Sequence, residues 1–317
     1  MTVLIVDNPS EPGTDLIVKE LASAGVPMFR MDMADFPSAL DFRASFGVER
    51  WEGVLTKGER SVDLSAIRAV YWNRPGAFTF PGLSESDERY ARDAARIGFG
   101  GVLTSLDAAY LNHPAKSTAA EFRPRQLQVA SAAGLAIPQT LVTTEAEAVR
   151  RFSRNVGGPV VTRALGAPVA ARTAGYECLC VREPDPDALE GIASTAHLFQ
   201  ERIEKDFEVR AVFVGDECFS ARVDAVTDQA RIGIDRRSGC DSVKLTPVET
   251  PRDVHHALRR YAAVMGLACF TADFVVRPSG QWVFLEADPR GRWAWTNSPD
   301  LPVAKAIAGV LEEWCDL

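Results

Sequence analysis

Three carboxylates near the end of the chain have the spacing to meet in one small patch. In Thr271-Ala-Asp-Phe-Val-Val-Arg-Pro-Ser-Gly-Gln-Trp-Val-Phe-Leu-Glu-Ala-Asp-Pro289 two apolar runs close on a Pro-Ser-Gly turn, the pattern of a β-hairpin. With Ser279 and Gly280 as a two-residue loop, Pro278 faces Gln281 and Asp273 lies directly opposite Glu286, while strand alternation adds Asp288 to the face of Glu286. Like charges set opposite one another destabilise a sheet, so a positive group is expected among them. Hard oxygen ligands at this spacing suit Mg2+ held with a nucleotide. The same count puts Trp282 and Phe284 on the face of the acids, which weighs against the plainer alternative of a solvated hairpin face.

The elements that must position this hairpin follow from periodicity. Val3–Ile5 reads as a strand, Asp15–Ala24 as a helix ended by Gly25, and Val26–Met31 as a second strand, a βαβ-like start that gives an α/β fold class. Strand-like runs at Ala44–Val48, Gly53–Leu55 and Ala69–Trp72 lead to the turn Asn73-Arg-Pro-Gly76. A helical pattern from Glu85 to Leu103 follows, with Tyr90, Ala94, Ile97 and Val102 as its apolar face. Leu111-Asn-His-Pro114 marks a boundary, because the residue before a proline avoids helix; helical periodicity then resumes through Leu127, Val129 and Ala133 to Gly134. Val142–Glu145 resembles a helix start, and Gly158–Arg163 is a short strand ending in a cation. Leu198–Ile203, Phe207–Val214 and Cys218–Val226, the last two joined by Gly215-Asp216, read as an antiparallel meander. Helices at Pro251–Met265 and Leu301–Trp314 flank the acidic hairpin.

Composition narrows the function classes. At 317 residues the chain can bury a large core in two or three subdomains. Met1–Asp7 is too short and lacks the basic flank of a signal peptide, and no apolar run approaches the roughly 18 residues of a membrane span. A cytoplasmic location and no membrane partner are expected. A net charge of -8 argues against nucleic acid as a partner and is compatible with a basic peptide. The six cysteines show no metal-type CxxC spacing and read as small buried hydrophobes. His113, His197, His255 and His256 show no ligand spacing with the acids, and Trp72, Trp293 and Trp295 read as packing residues, with a border of a peptide channel as the alternative for the aromatics of Gly291-Arg-Trp-Ala-Trp295, which directly follow the hairpin.

Arg123-Pro-Arg-Gln-Leu127, Gly134–Leu141, Pro159–Arg163, Ala196–Gln200, Lys205–Arg210, Asp273-Phe274 and Phe284–Pro289 together, in this order, resemble the ATP-grasp ligases over residues 112 to 317. Within them the chain is most similar to the ribosomal-peptide maturases of the microviridin or graspetide type, in their actinobacterial branch. Tyr71-Trp-Asn-Arg-Pro75 and Asn112-His-Pro114 extend the likeness towards the N-terminus. The resemblance implies an N-terminal pre-ATP-grasp α/β domain (residues 1–111), a central ATP-grasp subdomain (112–198) and a C-terminal one with the Mg-ATP site (199–317). It also implies ATP and Mg2+ as cofactors and a catalytic set of Arg210, Asp273, Glu286 and Asp288, the three acids holding the metal. Adenine is expected along Gln200, Glu201, Arg202 and Ile203, read by backbone groups of Glu201 and Ile203; Glu208 is expected on the ribose, Arg123 and Arg163 on the phosphates, and Arg210 on the transferred phosphate. Glu208 and Arg210, two apart on a strand, share a face, with a mutual surface ion pair as the plainer reading.

The chemistry so implied is side-chain ester or amide formation through an acyl phosphate in a ribosomal precursor peptide, whose leader docks on the ligase and whose core is cyclised. Asp235 and Arg237 match the family's Asp-x-Arg element for leader engagement, or are ordinary loop charges. Homodimers, common in the family, are an expectation. The chain departs from the pattern in four respects: arginines at both 123 and 163 where lysines are usual, Asp288 in place of asparagine, Arg292 in place of glutamine, and a Leu165-Gly-Ala-Pro168 loop poor in glycine and serine. Asp288 and Arg292 read as a compensating pair. These departures keep two alternatives open: a degenerate, noncatalytic ATP-grasp peptide-binding partner, and an amino-acid or small-peptide ligase of the RimK-like kind.

Overall fold

The structure is a computed structural model that describes residues 1–163, 165, 181–182, 189, 191–225 and 243–316. Its first strand, β1 (Thr2–Asp7), is apolar from Val3 to Val6 because both its faces are covered. It pairs in parallel with β2 (Met28–Met31) and with β6 (Ile67–Asn73), and β6 pairs with β7 (Ala109–Leu111), giving the order β2-β1-β6-β7. The helix α1 (Pro12–Ser23) forms the first crossover. Between β2 and β6 the chain inserts a three-stranded antiparallel sheet of β3 (Asp41–Phe46), β4 (Trp51–Lys57) and β5 (Arg60–Asp63).

The single helix expected over Glu85–Leu103 is two, α2 (Glu85–Ile97) and α3 (Phe99–Leu103), which meet at Gly98. The expected apolar stripe is also displaced. Tyr90 and Ile97 are 77% and 65% exposed, and the inner contacts come from Ala95, Phe99, Val102 and Leu103, where the helix turns in under the sheet. A similar break divides α4 (Pro114–Ala120) from α5 (Arg123–Ala132). Pro124 in the first turn of α5 has no N–H to continue a ladder from α4, and its ring excludes the carbonyl four residues back.

Beyond α5 lies a small sheet ordered β10-β9-β11-β8, formed by β8 (Thr140–Thr143), β9 (Val160–Arg163), β10 (Val181–Arg182) and β11 (His197–Glu201), with α6 (Ala146–Val156) packed on it through Val149. The strand at His197–Glu201 therefore does not open a meander: it runs antiparallel to β8 and β9, and the chain leaves this sheet at Arg202, whose N–H donates to the Pro159 carbonyl. The meander begins afterwards, in a five-stranded antiparallel sheet ordered β14-β13-β12-β15-β16. Its strands are β12 (Phe207–Val214), β13 (Glu217–Ala225), β14 (Val243–Val248), β15 (Cys269–Val276) and β16 (Trp282–Asp288). The β12–β13 turn is Gly215-Asp216, with Gly215 at φ 59, a conformation that a Cβ would disfavour.

One face of this sheet packs Phe213, Phe270, Phe274 and Phe284 against Tyr261 of α7 (Arg252–Met265). On the other face Val212 and Val214 meet Ile307 and Leu311 of the last helix, α8 (Val303–Asp316), which also covers Val3 and Ile5 of β1. The C-terminal helix is thus a wall shared by the N-terminal sheet and the large sheet. Asn112 makes a second connection between them: its side-chain amide donates to the carbonyls of Cys269 and Pro289 and accepts from the amides of Ala268 and Cys269. Among the described residues no helix is long and apolar enough to cross a membrane.

Gln126 does for α5 what Asn112 does for the N-terminal sheet. Its buried amide donates to the carbonyls of Ala120 and Ala287 and accepts from the Ala287 N–H, fixing α5 to β16 between Glu286 and Asp288. Gln126→Ala leaves that buried backbone pair unpartnered. A loss of about 1–3 kcal/mol is expected in chemical denaturation, and an unchanged midpoint would contradict this role.

Candidate active site

The acidic hairpin reaches its geometry through two offsets that cancel. The loop has three residues, with the Arg277 N–H donating to Gln281 and Gly280 at φ 83, so Val276 pairs with Trp282 and Phe274 with Phe284. A bulge at Leu285 then restores Asp273 opposite Glu286, and Thr271 pairs with Asp288. The expected pairing of Asp273 with Glu286 holds, but the bulge reverses the faces on either side of it. Trp282 and Phe284 lie in the α7-side core with Phe274, not beside the acids as the uninterrupted alternation predicted. The turn after Asp288 folds back closely on β15: a Cβ at Gly291 would overlap the Thr271 side chain.

Each of the three acids meets an arginine from a different element. Arg210, directly across β12 from Asp273, binds both its oxygens, Nε to Oδ1 at 2.7 Å and Nη2 to Oδ2 at 2.8 Å. The guanidinium also lies 4.5 Å from the centre of the Trp295 ring, a cation–π contact that gives Trp295 a place in the site as well as in packing. Arg123, the first residue of α5, places Nη2 2.5 Å from Oε2 of Glu286. Arg74, on the turn after β6, places Nη2 3.0 Å from Oδ2 of Asp288 and donates from Nε to the Arg290 carbonyl. The expected pairing of Asp288 with Arg292 is not formed, because Arg74 reaches across from the N-terminal sheet while Arg292 points to solvent. Exposure is graded, from 9% for the Glu286 side chain to 37% for Asp288, so the last pair is the one most open to exchange.

Among the described residues no three His, Cys, Asp or Glu side chains stand close enough to hold a metal ion as they are. The donor chemistry nevertheless fits one: Asp273, Glu286 and Asp288 are all-oxygen ligands on one face of a sheet. A cation would share or replace their guanidinium partners. Arg163 ends β9 with its Nη1 buried and without a hydrogen-bond partner among the described residues, the condition of a donor suited to an anion.

Of the residues expected to line adenine, Gln200 is buried and donates to the Thr140 hydroxyl. The N–H groups of Glu201 and Arg202 donate to the carbonyls of Gln139 and Pro159, so the amide of Glu201 is engaged within the fold. Its carboxylate accepts from the Gln139 N–H and stands 3.6 Å from Arg277. Ile203 is half-buried in the connection between the two sheets. Glu208 shares the face of Arg210 as expected but pairs with Lys205 at 2.5 Å, since Arg210 is bound to Asp273. Asp235 and Arg237 lie outside the described residues, as do Gly166–Pro168 of the loop after Arg163. Arg74, Asn112, Gln126 and Gly291 had no role assigned from sequence. The Tyr71–Pro75, Asn112–Pro114 and Arg123–Leu127 motifs contained Arg74, Asn112 and Gln126 without giving them a role.

Among the described residues the three cysteines, Cys218, Cys269 and Cys315, offer no activated nucleophile. Burial pushes the Cys269 thiol up to about 12 and raises those of Cys218 and Cys315.

A small sheet and a large antiparallel sheet beside an N-terminal α/β domain form the ATP-grasp fold. Residues 2–116 match the family model of the MvdD pre-ATP grasp domain. The macrocyclase MdnC from Microcystis aeruginosa MRC, solved with the precursor peptide MdnA, is 27% identical, with a TM-score of 0.83 over 99% of this chain and 100% of that one. Macrocyclase MdnB from the same organism is 25% identical, with a TM-score of 0.78 over 98% of each chain. A Chryseobacterium gregarium RiPP-associated ATP-grasp ligase, in complex with ADP and a leader and core peptide, is 22% identical with a TM-score of 0.87 over 98% of this chain and 96% of that one. No curated protein matches the chain. These likenesses support an ATP-grasp ligase similar to the ribosomal-peptide macrocyclases of the graspetide type.

Because its thiol is neutral and enclosed, Cys269 is expected to resist iodoacetamide in the native protein at pH 8 and to react after denaturation. Mass spectrometry of tryptic peptides checks this, and rapid native labelling would contradict the burial.

Proposed function

We propose that the chain uses ATP and Mg2+ to activate an Asp or Glu side chain of a ribosomally made precursor peptide as an acyl phosphate, and joins it to a Ser, Thr or Lys side chain of the same peptide. A carboxylate resists nucleophiles because of its own charge. Transfer of the γ-phosphoryl group gives the carbonyl a leaving group, and attack by the hydroxyl or amine expels phosphate with formation of an ester or amide. The observation that carries the reading is the set of three carboxylates on one sheet face, each paired with an arginine at 2.5–3.0 Å.

Asp273, Glu286 and Asp288 would hold the cation, which supplies charge neutralisation at the β- and γ-phosphates when bound. Arg123 and Arg163 would then bind phosphate oxygens, for which their planar forks are suited. Arg210, fixed between Asp273 and Trp295, would offset charge on the transferring group. Gln200 to Ile203 would border the adenine and Glu208 the ribose. Backbone groups of Glu201 and Ile203 would read the adenine edge, through the carbonyl in the case of Glu201, since its amide is engaged. Asp235 and Arg237 would engage the leader. The arginine partners themselves favour a second reading: if Arg123 stays on Glu286, the chain is a noncatalytic peptide-binding partner.

The test is incubation with ATP, Mg2+ and a candidate precursor peptide carrying Thr and Asp/Glu residues. Loss of about 18 Da per linkage, one water for each ester or amide formed, is expected by mass spectrometry for the unaltered protein, and a loss of at least a hundredfold in rate for Asp273→Asn and Glu286→Gln. Unchanged peptide mass despite demonstrated peptide binding would favour the noncatalytic reading.

A further inference from the structure

Arg74 is the one non-glycine residue at positive φ among the described residues, at 47°, a conformation that costs free energy and persists where the surroundings impose it. It stands just beyond the carboxyl end of β6, the side of an open parallel sheet where ligands gather. From there it crosses to the large sheet and grips the end of β16 at two points, the Asp288 carboxylate and the Arg290 carbonyl. The other Asp288 oxygen accepts the Arg290 N–H at 2.9 Å, so the carboxylate has a defined orientation. Asp273 and Glu286 take their cations from the large sheet and from α5. Asp288 takes its cation from the N-terminal domain.

The geometry points to Arg74 as a positioning residue of the nucleotide site, acting through Asp288: it is the N-terminal domain's counter-charge, without which a polyphosphate faces an uncompensated carboxylate. This rests on the Mg-nucleotide reading above and adds to it a charge balance between domains. Two ligands of opposite sign then report in opposite directions. Removing the guanidinium makes the patch more attractive to a bare divalent cation and less attractive to a nucleotide, each by about tenfold, a value between what one unit charge at ~4 Å gives in bulk water and what it gives near a protein surface. A residue that merely braced the fold would weaken both.

The experiment measures Mn2+ binding alone by electron paramagnetic resonance and ADP binding at fixed Mg2+ by calorimetry, on the full chain. Arg74→Gln is expected to tighten Mn2+ and weaken ADP. Arg74→Lys, which keeps the charge, should shift each constant less than threefold. The double variant Arg74→Gln with Asp288→Asn, which loses one charge of each sign, should return both constants towards those of the unaltered protein. Shifts in the same direction, no shift, or no return in the double variant would overturn the inference while the unaltered protein still binds ADP. Failure of the unaltered protein to bind ADP would overturn the nucleotide reading and this inference with it. Thermal melts confirm that each variant is folded, and the lysine variant keeps the comparison decisive if Arg74→Gln is not.

Discussion

Three carboxylates on one patch of a sheet repel one another, and this chain keeps them together by bringing an arginine to each from a separate part of the fold. Arg210 comes from the neighbouring strand, Arg123 from the start of α5 and Arg74 from the turn beyond the N-terminal sheet. Removing one partner of the buried pair would leave an uncompensated charge, a cost of about 3–5 kcal/mol, far more than an exposed surface pair is worth. The positions of α5 and of the N-terminal sheet are therefore conditions for the acids to coexist. The amides of Gln126 and Asn112, which fasten those two elements to β15 and β16, belong to the same arrangement as the charges.

The arrangement also bears on how such a site can change state. In the ligand-free protein the negative charge is neutralised by guanidinium groups. With a nucleotide and its cation bound, the cation can take over the carboxylates while the arginines turn to phosphate oxygens. The planar fork of arginine suits both partners, so the arginines at 123 and 163, which stand where the resembled family usually has lysine, are compatible with an exchange of partners. Arg163, with a buried nitrogen lacking a partner among the described residues, is already poised for an anion.

Much of this was legible in the sequence, though in one case for an incomplete reason. Alternation and the Pro-Ser-Gly turn gave the hairpin and the pairing of Asp273 with Glu286, yet that pairing survives because a longer loop and a bulge at Leu285 offset each other. Periodicity has no means of sensing a bulge, so Trp282 and Phe284 were assigned to the wrong face. Local pattern likewise gave β1, α1, β12 and the last helix, whose apolar positions face cores on short-range grounds. Partner choice was not legible. Whether Asp288 meets Arg292, four residues away, or Arg74, more than two hundred residues away, depends on how the N-terminal sheet docks on α8, and that lies in tertiary packing. The displaced stripe of α2 has the same origin: Tyr90 and Ile97 have helical spacing, but the helix turns in only at Ala95 and Phe99.

The most direct test of this account is a crystal structure with a non-hydrolysable ATP analogue and Mg2+. The account predicts magnesium bound by oxygens of Asp273, Glu286 and Asp288 beneath the phosphates, with the Arg123 guanidinium moved from Glu286 to a phosphate oxygen. A nucleotide bound elsewhere, with Arg123 still on Glu286 and no cation among the three acids, would contradict it.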